Sequence, residues 1–575
     1  MPPVRSAPIL NRIRQAATIE RILFVVLLLA LAWLVIPPII ILVDTSLRPS
    51  LAPGSGYGFD NYQVVAGSLA SGTSGILFNS FIFAVGGAFL AVVLGTTLAW
   101  LAERTDAPFR NVAYLAAFIS FAVPGIIKVI AWILLLGPRA GFLTGWIRDL
   151  FSLETSPFSI FSMGGMIMLE GLSWAPVVFL LMSSPFRAMD PALEESAAMS
   201  GAGPRRTFWY VTFRLALPSV AAVLLLTLVR SLQSFDIAAL VGIPANVEVF
   251  TTKIYLAFRA GFLPRYGEAA AYSVVLVAIV ALALMPYYRL NQRGQKFATI
   301  TGKGFRPHRI ELGRWRPVAG VLMLSMPMLL LLPFLVMLWA SLLPFVQGPS
   351  LEALKSASLD NYISAFSNSA VLGSIWNTVI VSTVSATAVV VLTLLASWVV
   401  QRSRIRLRWS LDLLATIPLV FPGIVLGLGI LRTYLTVPIP VYGTVWIIAI
   451  AFVVKFLPYG MRYNQAGLIS IHRELEESAQ MSGAPFLMVA RRIIIPLILP
   501  SLLAAWLYVF LVTSHELSEA LLLTTPGNEI LSITIWDLWQ NGQLGELTAF
   551  SVVISSVLVA AALLLVRVSR ISRVF

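Results

Sequence analysis

Apolar residues in this chain come in long uninterrupted runs rather than alternating or returning on one helical face. The runs fall near residues 22–43, 77–101, 111–136, 161–183, 213–240 and 269–288, then again near 317–341, 371–400, 409–434, 444–466, 493–516 and 542–566. Each has about the 20 residues that cross roughly 30 Å of hydrocarbon. Lipid offers backbone N–H and C=O groups no partner, so each run is predicted to be a helix, giving about twelve membrane spans. Basic residues sort by side if the N-terminus is cytoplasmic. The inner segments collect Arg104, Arg110, Arg187, Arg205, Arg206, a cluster over 289–316, Arg402, Arg404, Arg406, Arg408, Arg473, Arg491, Arg492 and Arg567, and the outer loops keep few. This positive-inside bias predicts both termini in the cytoplasm. The first run is too long for a signal-peptide core and is read as a retained helix.

Composition narrows the class. With 58% hydrophobic and 11% charged residues, the chain is not a soluble enzyme. A net charge of +14 would fit nucleic acid, but the basic residues lie beside the spans and match a membrane surface instead. The chain has no cysteine, which removes disulfides, thiolate metal sites and a cysteine nucleophile.

Residues 289–316 form a basic, glycine-containing linker between a first domain at 1–288 and a second at 317–575. The halves repeat. Asp60-Asn61-Tyr62 returns as Asp360-Asn361-Tyr362, Phe78-Asn79 as Trp376-Asn377, Val123-Pro124-Gly125 as Phe421-Pro422-Gly423, and Trp174-Ala175-Pro176 as Phe456-Leu457-Pro458. Six spans in each half give the copies the same orientation, so they are parallel repeats about an axis along the membrane normal. The paired Pro124-Gly125 and Pro422-Gly423 lie inside the third and ninth runs, where a proline removes a backbone hydrogen bond; they are candidate hinges.

The loop after the fourth span of each half carries the sharpest motif. Residues 187–212 contain Glu194-Glu195-Ser196-Ala197-Ala198-Met199-Ser200-Gly201, and residues 467–492 contain Glu476-Glu477-Ser478-Ala479-Gln480-Met481-Ser482-Gly483. Acidic residues suit the start of a short helix, small residues allow close approach by another protein, and glycine allows a backbone turn. These residues resemble the EAA loop of binding-protein-dependent ABC importer permeases. The resemblance is fuller in the second copy, where Pro496 completes the pattern; the first copy has Arg214 at that place. It implies an all-α type I importer permease, with Glu195, Ser196, Ala197, Gly201, Glu477, Ser478, Ala479 and Gly483 coupling to an ATP-binding subunit. The only Gly-Lys, at Gly302-Lys303, lacks a phosphate-loop context. ATP and Mg therefore belong to a separate subunit, expected in two copies, with a substrate-binding protein outside and no cofactor on this chain.

Ionisable residues within spans are costly and mark candidate paths: Lys128, Glu170, Arg230, Asp236, Asp412, Lys455, His515, Glu516 and Glu519. Asp236 and Glu516 are paired between the halves at an offset of 280, which would set two carboxylates across the pseudo-twofold axis. Arg230 and His515 stand close by in sequence, and hard oxygen ligands suit a cation, although no metal site is assigned. Arg230 with Asp236 would equally serve as an interhelical pair. The segments Ser234–Pro244 and Ile535–Trp539 resemble the fused ferric-iron permeases, a subgroup similar to permeases for thiamine, polyamines, sulfate and phosphonates. An ion-coupled secondary transporter would also show parallel repeats, but has no reason to repeat a docking helix. An enzyme is not expected, since His308, His472 and His515 form no convergent set. The expectation is a multi-pass permease of the bacterial inner membrane, importing ferric iron.

Overall fold

The computed structural model describes residues 7–50, 56–69, 75–138, 141–156, 158–259, 264–297, 309–484 and 486–568. Every regular element among them is helical, apart from one isolated bridge between Thr105 and Ile310. Ten helices are long and apolar enough to cross a membrane: Glu20–Ser46, Ile76–Arg104, Met163–Ala188, Arg205–Leu232, Tyr266–Tyr287, Gly313–Ser341, Ser369–Arg402, Val445–Ile469, Ala490–Thr513 and Leu544–Leu563. They are the first, second, fourth to eighth, and tenth to twelfth of the expected spans.

The third and ninth apolar runs are not single helices. Each is bent by 112°, into Arg110–Ser120 with Gly125–Leu136 and Trp409–Val420 with Gly423–Thr436. Both breaks fall at the repeated Pro-Gly pairs. Pro124 and Pro422 take extended backbone, with ψ of 136° and 148°, immediately before the second arm. A proline there donates no hydrogen bond to the preceding turn, so nothing carries the helix through.

The expected linker is more ordered than its composition predicts. The sixth-span helix continues to Phe297. Residues 298–308 of the linker lie outside the described residues. Its end is fastened to the segment after the second span: Ile310 N donates to the Arg104 carbonyl at 2.9 Å, Asp106 N to the Ile310 carbonyl at 3.2 Å, and Leu312 N to Asp106 Oδ1 at 2.9 Å.

Two compact units emerge, and they interleave the chain. One comprises the residues up to Thr45 with Leu372–Ile533, and so contains the first span and the eighth to eleventh. The other comprises Ser46–Val371 with Thr534–Val568, and contains the second to seventh spans and the twelfth. Within the first of these units, Pro38 of the first span lies against Gly429. Each unit draws on both sequence repeats.

Small residues set the helix packing, because lipid tails are as apolar as leucine and close backbone approach must supply the attraction. A β-carbon at Gly95 of the second span would stand 2.7 Å from the Ala175 carbonyl oxygen and 2.6 Å from Val178 Cβ in the fourth. At the equivalent contact of the eighth and tenth spans the glycine has changed sides: Thr393 faces Gly460, whose added β-carbon would meet Thr393 Oγ1 at 2.6 Å. Gly95→Val is expected to destabilise the second-to-fourth span contact by about 1–3 kcal/mol. Thermal unfolding of the detergent-solubilised protein checks this, and an unchanged midpoint would mean that these helices do not pack so closely.

Candidate functional site

The repeated loop motif forms two short helices, Pro191–Met199 and Arg473–Met481. Asp190 caps the first by accepting from Ala192 N at 2.9 Å, and Pro191 fixes its first turn. Both helices end alike. Gly201 and Gly483 take φ of +81° and +86°, the left-handed region where other residues are strained. Ala202 N then reaches back to the Ala197 carbonyl at 3.0 Å, and Ala484 N to the Ala479 carbonyl at 3.1 Å, closing the helix end. Nothing lies within 4 Å of where a β-carbon would stand at Gly201, so conformation rather than space demands a glycine there.

Exposure separates the paired glutamates. Glu195, Ser196, Glu477 and Ser478 face outward, and Ala197 and Ala479 are half-buried. Met199 and Met481, two residues before each glycine, are 87% and 88% exposed. Glu194 and Glu476 turn inward instead. Glu194 pairs with the fully buried Arg104 at the end of the second span and accepts from Thr212 Oγ1 at 2.5 Å. Glu476 pairs with Arg402, at the end of the eighth span, at 2.7 Å. Arg402 also donates to the Leu468 and Ile471 carbonyls at 3.1 and 3.0 Å. Each exposed helix is thus bolted to its unit by a buried Arg-Glu pair. The sequence reading counted these arginines only as inner-side charges; their recurrence at an offset of 298 was the available signal.

The first copy carries an extra tie. Glu103 accepts from Arg187 at 2.7 Å and from the Tyr114 hydroxyl. The equivalent positions in the second copy are Gln401 and Ile469. After each helix comes a π-helical turn, Phe208–Thr212 and Ala490–Ile494, leading into the fifth and eleventh spans.

The candidate path residues gather at the Pro-Gly corners. In the unit holding the first corner, a β-carbon at Gly125 would lie 2.9 Å from Asp236 Oδ2. Lys128, one turn further on, donates to the Ser120 carbonyl at 3.3 Å and has Asp236 as its electrostatic partner. Glu170, 1% exposed, accepts from Ser234 Oγ at 2.8 Å. Arg230 lies in the last turn of the fifth span. In the other unit the carboxylate against the Gly423 corner belongs to Glu519, which replaces Glu516 as the counterpart of Asp236. Lys455 pairs with Glu519 and stands 3.4 Å from Glu516 Oε2. His515 adjoins Glu516 and acts on it electrostatically. Asp412 is held separately, by Gln465 at 2.8 Å and Arg462 at 3.4 Å. Among the described residues no group of three or more His, Asp or Glu is arranged to hold a metal ion.

The remaining repeated residues are ties. Asn61 donates to the Ser46 and Arg48 carbonyls at 3.1 and 2.9 Å, and Asn361 to the Ser341 and Leu343 carbonyls at 3.0 and 2.7 Å. Asn79 and Asn377 bond the carbonyls of Glu248 and Glu529 at 3.1 and 2.9 Å.

Because Glu476 is buried and paired while Glu477 is exposed, alanine substitution should split them. Glu476→Ala is expected to cost about 3–5 kcal/mol by stranding Arg402, and Glu477→Ala to be close to neutral, as surface changes are. Thermal unfolding of the purified protein reads both, and equal effects would contradict the assignment.

Comparison with known proteins agrees with this geometry. The family described as "Binding-protein-dependent transport system inner membrane component" matches residues 91–294 and 393–573, one copy in each repeat. The Fe(3+)-transport system permease protein FbpB 2 of Haemophilus influenzae is 26% identical over 83% of this chain and 87% of that protein. The ferric transport system permease protein FbpB of Actinobacillus pleuropneumoniae is 23% identical over 82% of this chain and 68% of its own length. A putative 2-aminoethylphosphonate transport system permease protein, PhnU of Salmonella typhi, is 26% identical over 46% of this chain and 88% of its own. With both repeats matched and the span count agreeing, this chain belongs to the family of binding-protein-dependent transport system inner membrane components, the permeases of ABC importers.

Proposed function

We propose that this chain carries ferric iron inward, receiving it from an extracytoplasmic binding protein and drawing on ATP hydrolysed by two separate subunits. The observation that carries the coupling role is the pair of exposed helices at Pro191–Met199 and Arg473–Met481. Each ends in a left-handed glycine and is held rigidly from behind by a buried Arg-Glu pair. A helix fixed on one side and bare on the other passes a push from a docked subunit into the span that anchors it. Glu195, Ser196, Ala197 and Gly201, with Glu477, Ser478, Ala479 and Gly483, form the bare side and its turn. The charge bias supports a cytoplasmic position for both termini, on the same side as these helices.

The iron assignment is supported by the two ferric permeases that align over most of this chain. Carboxylates at the two Pro-Gly corners, Asp236 and Glu519 with Glu516, supply hard oxygen suited to a cation in passage. Arg230 and His515 complete the proposed path residues, and the two corners are the proposed hinges. A 2-aminoethylphosphonate cargo is the second reading, favoured by the half-length Salmonella relative.

Radiolabelled ferric iron should enter cells carrying the intact transporter in an ATP-dependent manner. Gly201→Asp with Gly483→Asp should abolish uptake while the protein remains inserted, because aspartate strains both left-handed turns and adds charge to both docking helices. Uptake of 2-aminoethylphosphonate instead of iron, abolished by the same pair, would replace the cargo and keep the coupling role.

A further inference from the structure

Each Pro-Gly corner holds a lysine among carboxylates, supplied by different helices in the two units. Each has one lysine and two carboxylates: Lys128, Asp236 and Glu170 in one unit, Lys455, Glu519 and Glu516 in the other. The lysine sits on the second arm of the broken span in the first set and on the tenth span in the second set. The slot that Lys455 fills is Ser173 in the first repeat, and the slot of Lys128 is Leu426 in the second. The repeats have therefore kept the charge set while changing which helix supplies it, as a packing role for any one side chain would not require.

The second set shows what the lysine does. Glu519 is fully buried, and its carboxylate pairs with the Lys455 ammonium. It is pressed against the backbone of the corner, where only a glycine at 423 leaves room for it. A carboxylate buried this deeply needs a cation beside it. The Lys455 ammonium fills that need, in contact with Glu519 and 3.4 Å from Glu516. Lys455 and Glu516 keep 13% and 17% of their side chains accessible, whereas Glu519 is sealed.

We propose that the Lys455 ammonium is a tethered competitor for the cargo cation: it occupies the place between Glu516 and Glu519 that the cation takes in passage, and by returning it drives the cation off. This rests on the reading of the cargo as a cation. It makes Lys455 a specificity-determining residue, since a cation must out-compete a resident ammonium to enter, and it leaves the resting protein without bound metal. A carrier that held its cargo tightly at mid-passage would stall, and an ammonium on a flexible four-carbon stem prevents this without a conformational step of its own.

The test uses the purified chain assembled with its ATP-binding subunits, equilibrated separately with radiolabelled ferric citrate and with Mn2+. Wild type and Lys455→Arg are expected to retain no metal above background. Lys455→Met, which frees both carboxylates, should retain metal above the wild-type level, and adding Glu519→Gln to it should abolish that retention. If Lys455→Met does not insert, Lys455→Gln, with an amide and no charge, makes the same test. An inserted Lys455→Met or Lys455→Gln protein that retains no more metal than wild type overturns the proposal, because a proton then replaces the ammonium. Wild type that itself retains metal overturns it too. Retention of Mn2+ by the variants, with no ferric uptake by wild type, keeps the tethered ammonium and removes iron as the cargo. Ferric uptake by wild type with no retention by the variants removes the ammonium role and leaves iron.

Discussion

Hydrocarbon gives a peptide group no partner but another peptide group or a buried side chain, and both repeats break a helix inside it. Every break in this chain is therefore an obligation that some nearby residue meets. At the first Pro-Gly corner the Lys128 ammonium caps the carbonyl of Ser120, the last residue of the first arm. Phe121 N and Ala122 N turn back on the carbonyls of Phe118 and Ile119. At the ends of the first and seventh spans, Asn61 and Asn361 each take two carbonyls that the helix can no longer satisfy. Several polar residues of the membrane interior stand where the backbone stops being helical.

That constraint also explains what the sequence discloses. The spans are legible because an apolar run of sufficient length has one outcome in lipid. The short loop helices are legible because an acidic start, small residues and a glycine turn recur in both halves with one spacing. The repeated asparagines are visible as repeats, but their task is not, since it depends on carbonyls far away in the chain. The 112° bends are hidden from hydropathy, because both arms of a broken span are as apolar as one straight helix. Only the proline hints at them, and Pro176 and Pro458 show why it is a weak hint: both lie inside helices that continue unbroken. The Arg104–Glu194 and Arg402–Glu476 bolts were hidden for another reason. An arginine at a span end is already explained by the membrane surface, so nothing prompts a search for its partner. The pairing of Asp236 with Glu516 failed through a three-residue ambiguity in register that only the contact with Gly423 resolves.

Comparison of the two halves shows that pairs, not residues, are retained. Gly95 faces Val178 where Thr393 faces Gly460, so one helix yields the volume that the other fills. The corner charges behave likewise. The Arg-Glu bolts keep both partners, but the first copy adds the Glu103–Arg187–Tyr114 tie, and its Thr212 hydroxyl reaches Glu194, where the second copy has Ile494. The two loop helices are equally exposed at their tips and unequally braced at their roots.

The interleaving of the two compact units bears on how the chain is made. The first span leaves the ribosome at the outset, yet the residues that complete its unit begin at Leu372. At ~5–20 residues per second, some tens of seconds of synthesis separate them. During that interval the first span waits in the bilayer without the helices it belongs with, so its early stability must come from lipid alone. This fits its composition, apolar on nearly every side from Ile22 to Val43. A gene cut at the linker would not yield two self-sufficient products: the first would carry one span, and the second two, the seventh and the twelfth, that belong to the unit built mainly from the other product, and assembly would be a matter of exchange between newly made chains.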